Sequence, residues 1–201
     1  MFCLVTRAIL AGAVAVTLAG VACAQSAPAA PAQPGPEAAA PAMTDVQALQ
    51  DWTVRCFKIE SPSPCDMTQM VMDNNTKKRL MQVSIGYAPG AGAYGAQIVV
   101  PLGVSLAQGL TLSVGEYKVP NIHFRRCMRD GCYVEAQLDP EAIEAMSKAQ
   151  QGMITVIGWG DAHVFDLPLS LKGFNEAHAA MVKLNRAKAT SAPPAPAPAN
   201  P

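Results

Sequence analysis

The hydrophobic and polar positions of the chain fall into three regimes. An apolar run from Ala8 to Val21 stands near the start, a long two-periodic middle follows, and Pro/Ala-rich stretches flank that middle. In the middle, DWTVRCF sets Trp52, Val54 and Cys56 on one face and Thr53, Arg55 and Phe57 on the other, the alternation of a half-buried strand. CDMTQMVM repeats the pattern after SPSP, Asp73 to Asn75 supply a turn, and KKRLMQVSI returns as a strand partner. AQIVV, ended by Pro101, is followed by LTLSV, IHFRRC, CYVEAQL, MITVIG and HVFDL, with Gln-Gly, Asp-Gly or Gly-Asp signals between them. Many short strands with frequent turns predict a mostly antiparallel sandwich or barrel.

Two helices interrupt the alternation. Asp139 is placed to cap one, with Pro140 at its first position and EAIEAMSKAQ running on toward Gly152. The second starts near Phe174 or Asn175. Phe174, Ala177, Met181 and Leu184 share one stripe of it, and Lys183, Arg186 and Lys188 load its C-terminal end, so it is expected to lie across the sheet and close the core.

The flanks change the picture by placing the chain in a compartment. One basic residue, Arg7, then the apolar run, then Ala22 and Ala24 in an AxA arrangement read as a secretory signal peptide over residues 1–24. The run is short for a spanning helix, and no second hydrophobic stretch is long enough to cross a bilayer, so the mature chain is expected to carry no transmembrane span. Lipid anchoring through Cys23 is the competing reading, although GVAC lacks the leucine that usually stands three positions earlier. Residues 25–46 and 189–201 are Pro/Ala-rich and cannot offset their ordering entropy, which leaves one domain at 47–188 between flexible tethers, in the periplasm or secreted. Fifteen acidic and fifteen basic side chains balance, which removes the electrostatic reason for a nucleic-acid partner.

Without the leader, Cys56, Cys65, Cys127 and Cys132 remain, an even number suited to disulfides in an exported chain. If Met128 to Gly131 form a four-residue loop with Gly131 left-handed, Cys127 and Cys132 stand opposite each other and can be bridged. Entropy alone does not choose the connectivity. Local geometry favours Cys56 with Cys65 and Cys127 with Cys132 as structural staples. Gaps of eight and four residues do not suit zinc, and the second pair lacks the spacing and helix start of a redox couple.

Other candidate chemistry is sparse. His123, His163 and His178 have no partner at ligand spacing, and no GxSxG or local Ser/His/Asp context is present. Met67, Met70 and Met72 are read as core filling rather than a copper set, because alternation puts Met67 on the opposite face. GWGD, Gly158 to Asp161, reads as a hairpin turn. Arg125 and Arg129 would share one side of their strand with Arg126 on the other, and with Lys118 they form a candidate surface for an anionic partner such as lipopolysaccharide or a phosphorylated glycan. No catalytic residue, cofactor or metal is expected.

WTVRC, CDMTQM, PLGVSL with GLTLSV, CMRDGC and LSLKGFNEA, in that order, resemble the invasion-associated locus B family of exported alphaproteobacterial proteins, over Trp52 to about Leu184. The resemblance implies a β-sandwich envelope protein without known catalytic residues. With the pattern, it gives a mainly β, immunoglobulin-like antiparallel β-sandwich with one short helix and a C-terminal helix. The expected role is a non-enzymatic interaction module acting on an unknown envelope or host-surface component. A structural or stress-protective, chaperone-like periplasmic protein is the alternative.

Overall fold

The computed structural model describes residues 41–191; the expected signal peptide, Cys23, most of the first tether and most of the tail lie outside the described residues. In chain order the elements are β1 (Met43–Leu49), β2 (Trp52–Phe57), β3 (Cys65–Met72), β4 (Arg79–Ala88), β5 (Ala93–Val100), β6 (Leu110–Val114), β7 (Tyr117–Ile122), β8 (Phe124–Met128), β9 (Gly131–Leu138), α1 (Pro140–Lys148), β10 (Gln151–Ile157), β11 (Val164–Ser170) and α2 (Phe174–Ser191). They form two antiparallel sheets, one ordered β1-β2-β3-β4-β5-β9-β8 and the other β11-β10-β6-β7. Of the sandwich and barrel that the alternation allows, the chain forms the β-sandwich that the family resemblance implies. Its strands divide seven and four around a five-strand meander, wider than the four and three of an immunoglobulin constant domain.

One core joins all the layers. Trp52, Met67, Ile85 and Val134 of the larger sheet, Leu112, Ile154 and Leu169 of the smaller, and Phe174, Ala177 and Met181 of α2 are buried together. Each large side chain so buried contributes roughly 1.5–3 kcal/mol. α2 lies on β2, β3 and β4, with Phe174 set edge-on to Trp52 at 5.5 Å between ring centroids. Asp139 caps α1, its Oδ1 accepting from the Ala142 amide at 2.7 Å.

Two buried amides tie the layers together. Gln69 in β3 accepts from the Ser170 amide at 3.0 Å and donates to the Ser170 carbonyl at 2.9 Å, so one side chain pairs both backbone groups of an edge residue in the other sheet. Asn185 in α2 does the same to Cys65, accepting from its amide at 3.0 Å and donating to its carbonyl at 2.9 Å. Pairing of this kind is needed wherever backbone polar groups leave water.

Three expectations are corrected. The domain's first strand begins at Met43, inside the stretch read as tether; as an edge strand with nearly every residue exposed, β1 carries no burial alternation. IHFRRC is not one strand. The chain leaves the smaller sheet after Ile122 and enters the larger one at Phe124, with Asn121 at φ 56° and Pro120 tolerated because β7 is an edge. Met70 and Met72 do not fill the core: they lie opposite Met67, as alternation requires, but on the outer face, where Met70 is 52% exposed.

Candidate binding face on the seven-stranded sheet

The outer face of the larger sheet collects the polar halves of its strands. Arg55 on β2 stands opposite Asp66 on β3 and pairs with it through Nε at 2.8 Å and Nη2 at 3.0 Å. Ser84, Gln97 and Glu135 continue the next row across β4, β5 and β9. Beside this row the pairing runs Asp66, Gly86, Gly95, Gln137, so two successive strands present no side chain. The result is a shallow groove of ≈ 670 Å³, floored by glycine and alanine and walled by Arg55, Asp66, Gln97, Glu135, Gln137 and Arg125.

Arg125 reaches this groove because of an irregularity in β8. Phe124 pairs with Val134 and Arg126 with Tyr133, so Arg125 is an extra residue opposite none: a β-bulge. A bulge suspends strict alternation. Phe124 packs against the core, Arg125 lines the groove, and Arg126 pairs with Glu135 while lying 4.6 Å over the Tyr133 ring, on the same outer face. The expectation that Arg125 and Arg126 point to opposite sides therefore fails, for a reason no two-periodic reading contains. Arg129 is exposed on the turn of the same hairpin. Lys118 is not brought to this face: it sits on β7 of the smaller sheet, opposite Ser113.

The hairpin is held from several directions. Met128 pairs with Gly131, so the loop has two residues, Arg129 and Asp130, rather than four; Cys127 still faces Cys132 across the ladder and is bonded to it, with Cα atoms 4.0 Å apart. Gly131 has φ 150°, and a Cβ there would meet the Val100 carbonyl oxygen at 2.4 Å, so only glycine fits. Asp130 accepts from Arg79 on β4 at 3.1 Å and from the Tyr133 hydroxyl. That hydroxyl bond, seconded by Arg79, holds the Asp130 carboxyl below its usual range. Glu135 is lowered likewise, chiefly by its bond to Arg126, with Arg125 adding its field. Between β2 and β3, Cys56 is bonded to Cys65, both fully buried.

The histidines have packing roles or stand apart. His178 lies against Tyr94 Oη at 2.9 Å and stacks on Phe174, and His163 meets Phe165 edge-on at 4.7 Å. Among the described residues no group of three or more His, Cys, Asp or Glu is placed to hold a metal ion, and no helix is long and apolar enough to cross a membrane.

The groove-bearing domain matches a known family. The profile described as "Invasion associated locus B (IalB) protein" covers residues 52–182. This chain belongs to the invasion associated locus B family. Among its relatives are the invasion protein B homologs of Brucella abortus strain 2308 and of Brucella abortus biovar 1 strain 9-941. Each is 27% identical over 136 residues, covering 68% of this chain and 78% of the relative. The crystal structure of invasion associated protein B from Bartonella henselae shares the fold, with TM-score 0.64 and 18% identity, over 71% of this chain and 99% of that one. The family match spans the sandwich from β2 into α2 and so includes both disulfides and the arginine-bearing bulge.

Proposed function

We propose that the protein is an exported, non-enzymatic interaction module of the cell envelope, and that the groove on its seven-stranded sheet holds a phosphate- or carboxylate-bearing saccharide of an envelope or host surface. The observation that carries this reading is the bulge at Arg125, which adds an exposed cation to a side-chain-poor groove already walled by planar polar groups. Arg55, Gln97 and Gln137 offer donors to ring hydroxyls, and Arg125 with Arg126 offers guanidinium to an acidic substituent. The names of the Brucella and Bartonella relatives support a role at the host surface. Two disulfides support folding outside the cytoplasm, and the ring contacts of His163 and His178 support a packing rather than a catalytic task for those two.

Gly95 provides the test. A Cβ there meets nothing within 4 Å and its φ is not positive, so Gly95→Gln fills the groove without disturbing the strand. Titrating the phosphorylated core saccharide of a lipopolysaccharide by calorimetry is expected to give saturable binding. Gly95→Gln and Arg125→Glu should each weaken it at least tenfold, while the unphosphorylated saccharide binds more weakly. Equal binding by wild type and both variants, or no binding of either saccharide, removes the proposal.

A further inference from the structure

The described surface carries a second unusual feature, at an end of the smaller sheet. Trp159, 78% exposed on the turn between β10 and β11, has Val164 and Phe165 exposed on the strand that follows. The loop from Pro101 to Gly109 is bound beside it. The Trp159 amide donates to the Gly103 carbonyl at 2.8 Å, Val104 bridges to Gly158, and the Ser105 amide donates to the Ile157 carbonyl at 2.7 Å. These bonds flank Leu102 and Leu106, both more than half exposed. The ring of Phe165 approaches within 3.1 Å of where a Cβ on Gly158 would stand, which places it against the same turn. Leu102, Leu106 and Trp159 on two hydrogen-bonded loops, with Val164 and Phe165 at the start of β11, thus put five large exposed apolar side chains at this end of the sheet. A patch of a few hundred Å² of this kind is often a functional contact surface.

We propose that this tip inserts into the headgroup region of an uncharged lipid bilayer surface, seating the domain on a membrane. Charge selects the occupant. Loop 101–109 contains no charged residue, and residues 157–165 contain only Asp161 and His163, so no Lys or Arg is present to seek anionic headgroups. Asp161 is turned back, its Oδ1 accepting from the His163 amide at 3.1 Å, and Asp166 on β11 accepts from Thr155 at 2.6 Å. The tip therefore offers apolar surface and an indole N–H with little charge to desolvate, the composition that suits the boundary between acyl chains and headgroups. Size argues against a second copy. With aromatic side chains burying roughly 150–250 Å² each, the exposed parts of the five total about 500 Å², short of the ~800 Å² per partner of a standard protein interface.

Trp52 and Trp159 are the only tryptophans, and Trp52 is fully buried with its Nε1 donating to the Ser170 carbonyl, so a change in indole emission on binding reports Trp159. The natively processed protein is mixed with phosphatidylcholine vesicles and followed by emission and cosedimentation. A blue shift is expected with partitioning that changes less than twofold between low and high salt, and Trp159→Ser or Leu102→Ser should reduce it at least tenfold. Both replace exposed side chains and leave the fold intact. Arg125→Glu leaves vesicle binding unchanged, which separates this proposal from the groove. No blue shift at lipid excess, or binding only to phosphatidylglycerol vesicles and lost in salt, overturns it. So does a lipid-independent, concentration-dependent dimer that shields Trp159 from acrylamide.

Discussion

Asn185 shows how much one side chain can settle. It is fully buried in α2, and both of its amide functions are spent on the backbone of Cys65, which begins β3 and carries the buried disulfide. Replacing it by leucine keeps the volume but leaves the buried Cys65 N–H without a partner and its carbonyl with only the Ser63 hydroxyl at 3.3 Å, a loss of roughly 1–3 kcal/mol for the orphaned group. Asn185→Leu is therefore expected to cost about 2 kcal/mol, read as a lowered urea midpoint at unchanged slope. His178, seven residues earlier, sets a pH dependence. Burial holds its pKa below the ordinary 6.5, so the neutral ring is the folded form. As pH falls below 6.5 the unfolded chain takes up the proton first. Stability is thus undiminished above that pH and declines from 6.5 down to the lowered folded pKa. His178→Phe should flatten this decline between pH 7 and 5 in urea titrations. The separate loss below about pH 4, where protonation removes the favourable contacts of Asp130 and Glu135, should remain.

At the scale of elements, the two disulfides differ in what surrounds them. Cys56 and Cys65 are fully buried under Asn185 and the core, whereas Cys127 is exposed on an edge strand and only Cys132 is covered. Of the four cysteines among the described residues, mild reductant and alkylating reagent without denaturant should therefore label Cys127 and Cys132 alone, as mass spectrometry of the peptides would show. Labelling of Cys56 at the same rate would contradict the packing. Removing the hairpin bridge by Cys127→Ala with Cys132→Ala is expected to cost about 2 kcal/mol, since the loop it closes is short. Alternation and turn chemistry made the strands β2 to β6 and β9 to β11 and both local cysteine pairs readable, because each depends on neighbours in sequence. What alternation could not contain is the extra residue at Arg125 and the change of sheet at His123, both decided by pairing with distant strands. β1 escaped for a related reason: an exposed edge strand has no buried face to mark it.

For the whole molecule, the question is whether two sheets of unequal width fold as one body. The stripe of α2 was legible as a core face, but that Asn185 belongs to it was not, since a buried amide is marked by its partner and not by hydrophobicity. Gln69 is the same case across the sandwich, joining β3 to Ser170, and the Trp52 indole donates to that residue's carbonyl at 3.1 Å. Trp52 also packs on Phe174 of α2, so a single indole touches both sheets and the helix. If these contacts make one cooperative unit, unfolding seen by near-ultraviolet dichroism of Trp52 and by far-ultraviolet dichroism of the strands will superimpose in urea. Gln69→Ala leaves the Ser170 amide unpaired between the layers, its carbonyl still held by the Trp52 indole, and should shift both curves together to a lower midpoint, by roughly 1–3 kcal/mol. Two separated transitions, with the near-ultraviolet signal lost first, would mean that the smaller sheet opens from the larger one independently and that the shared core does not unite them.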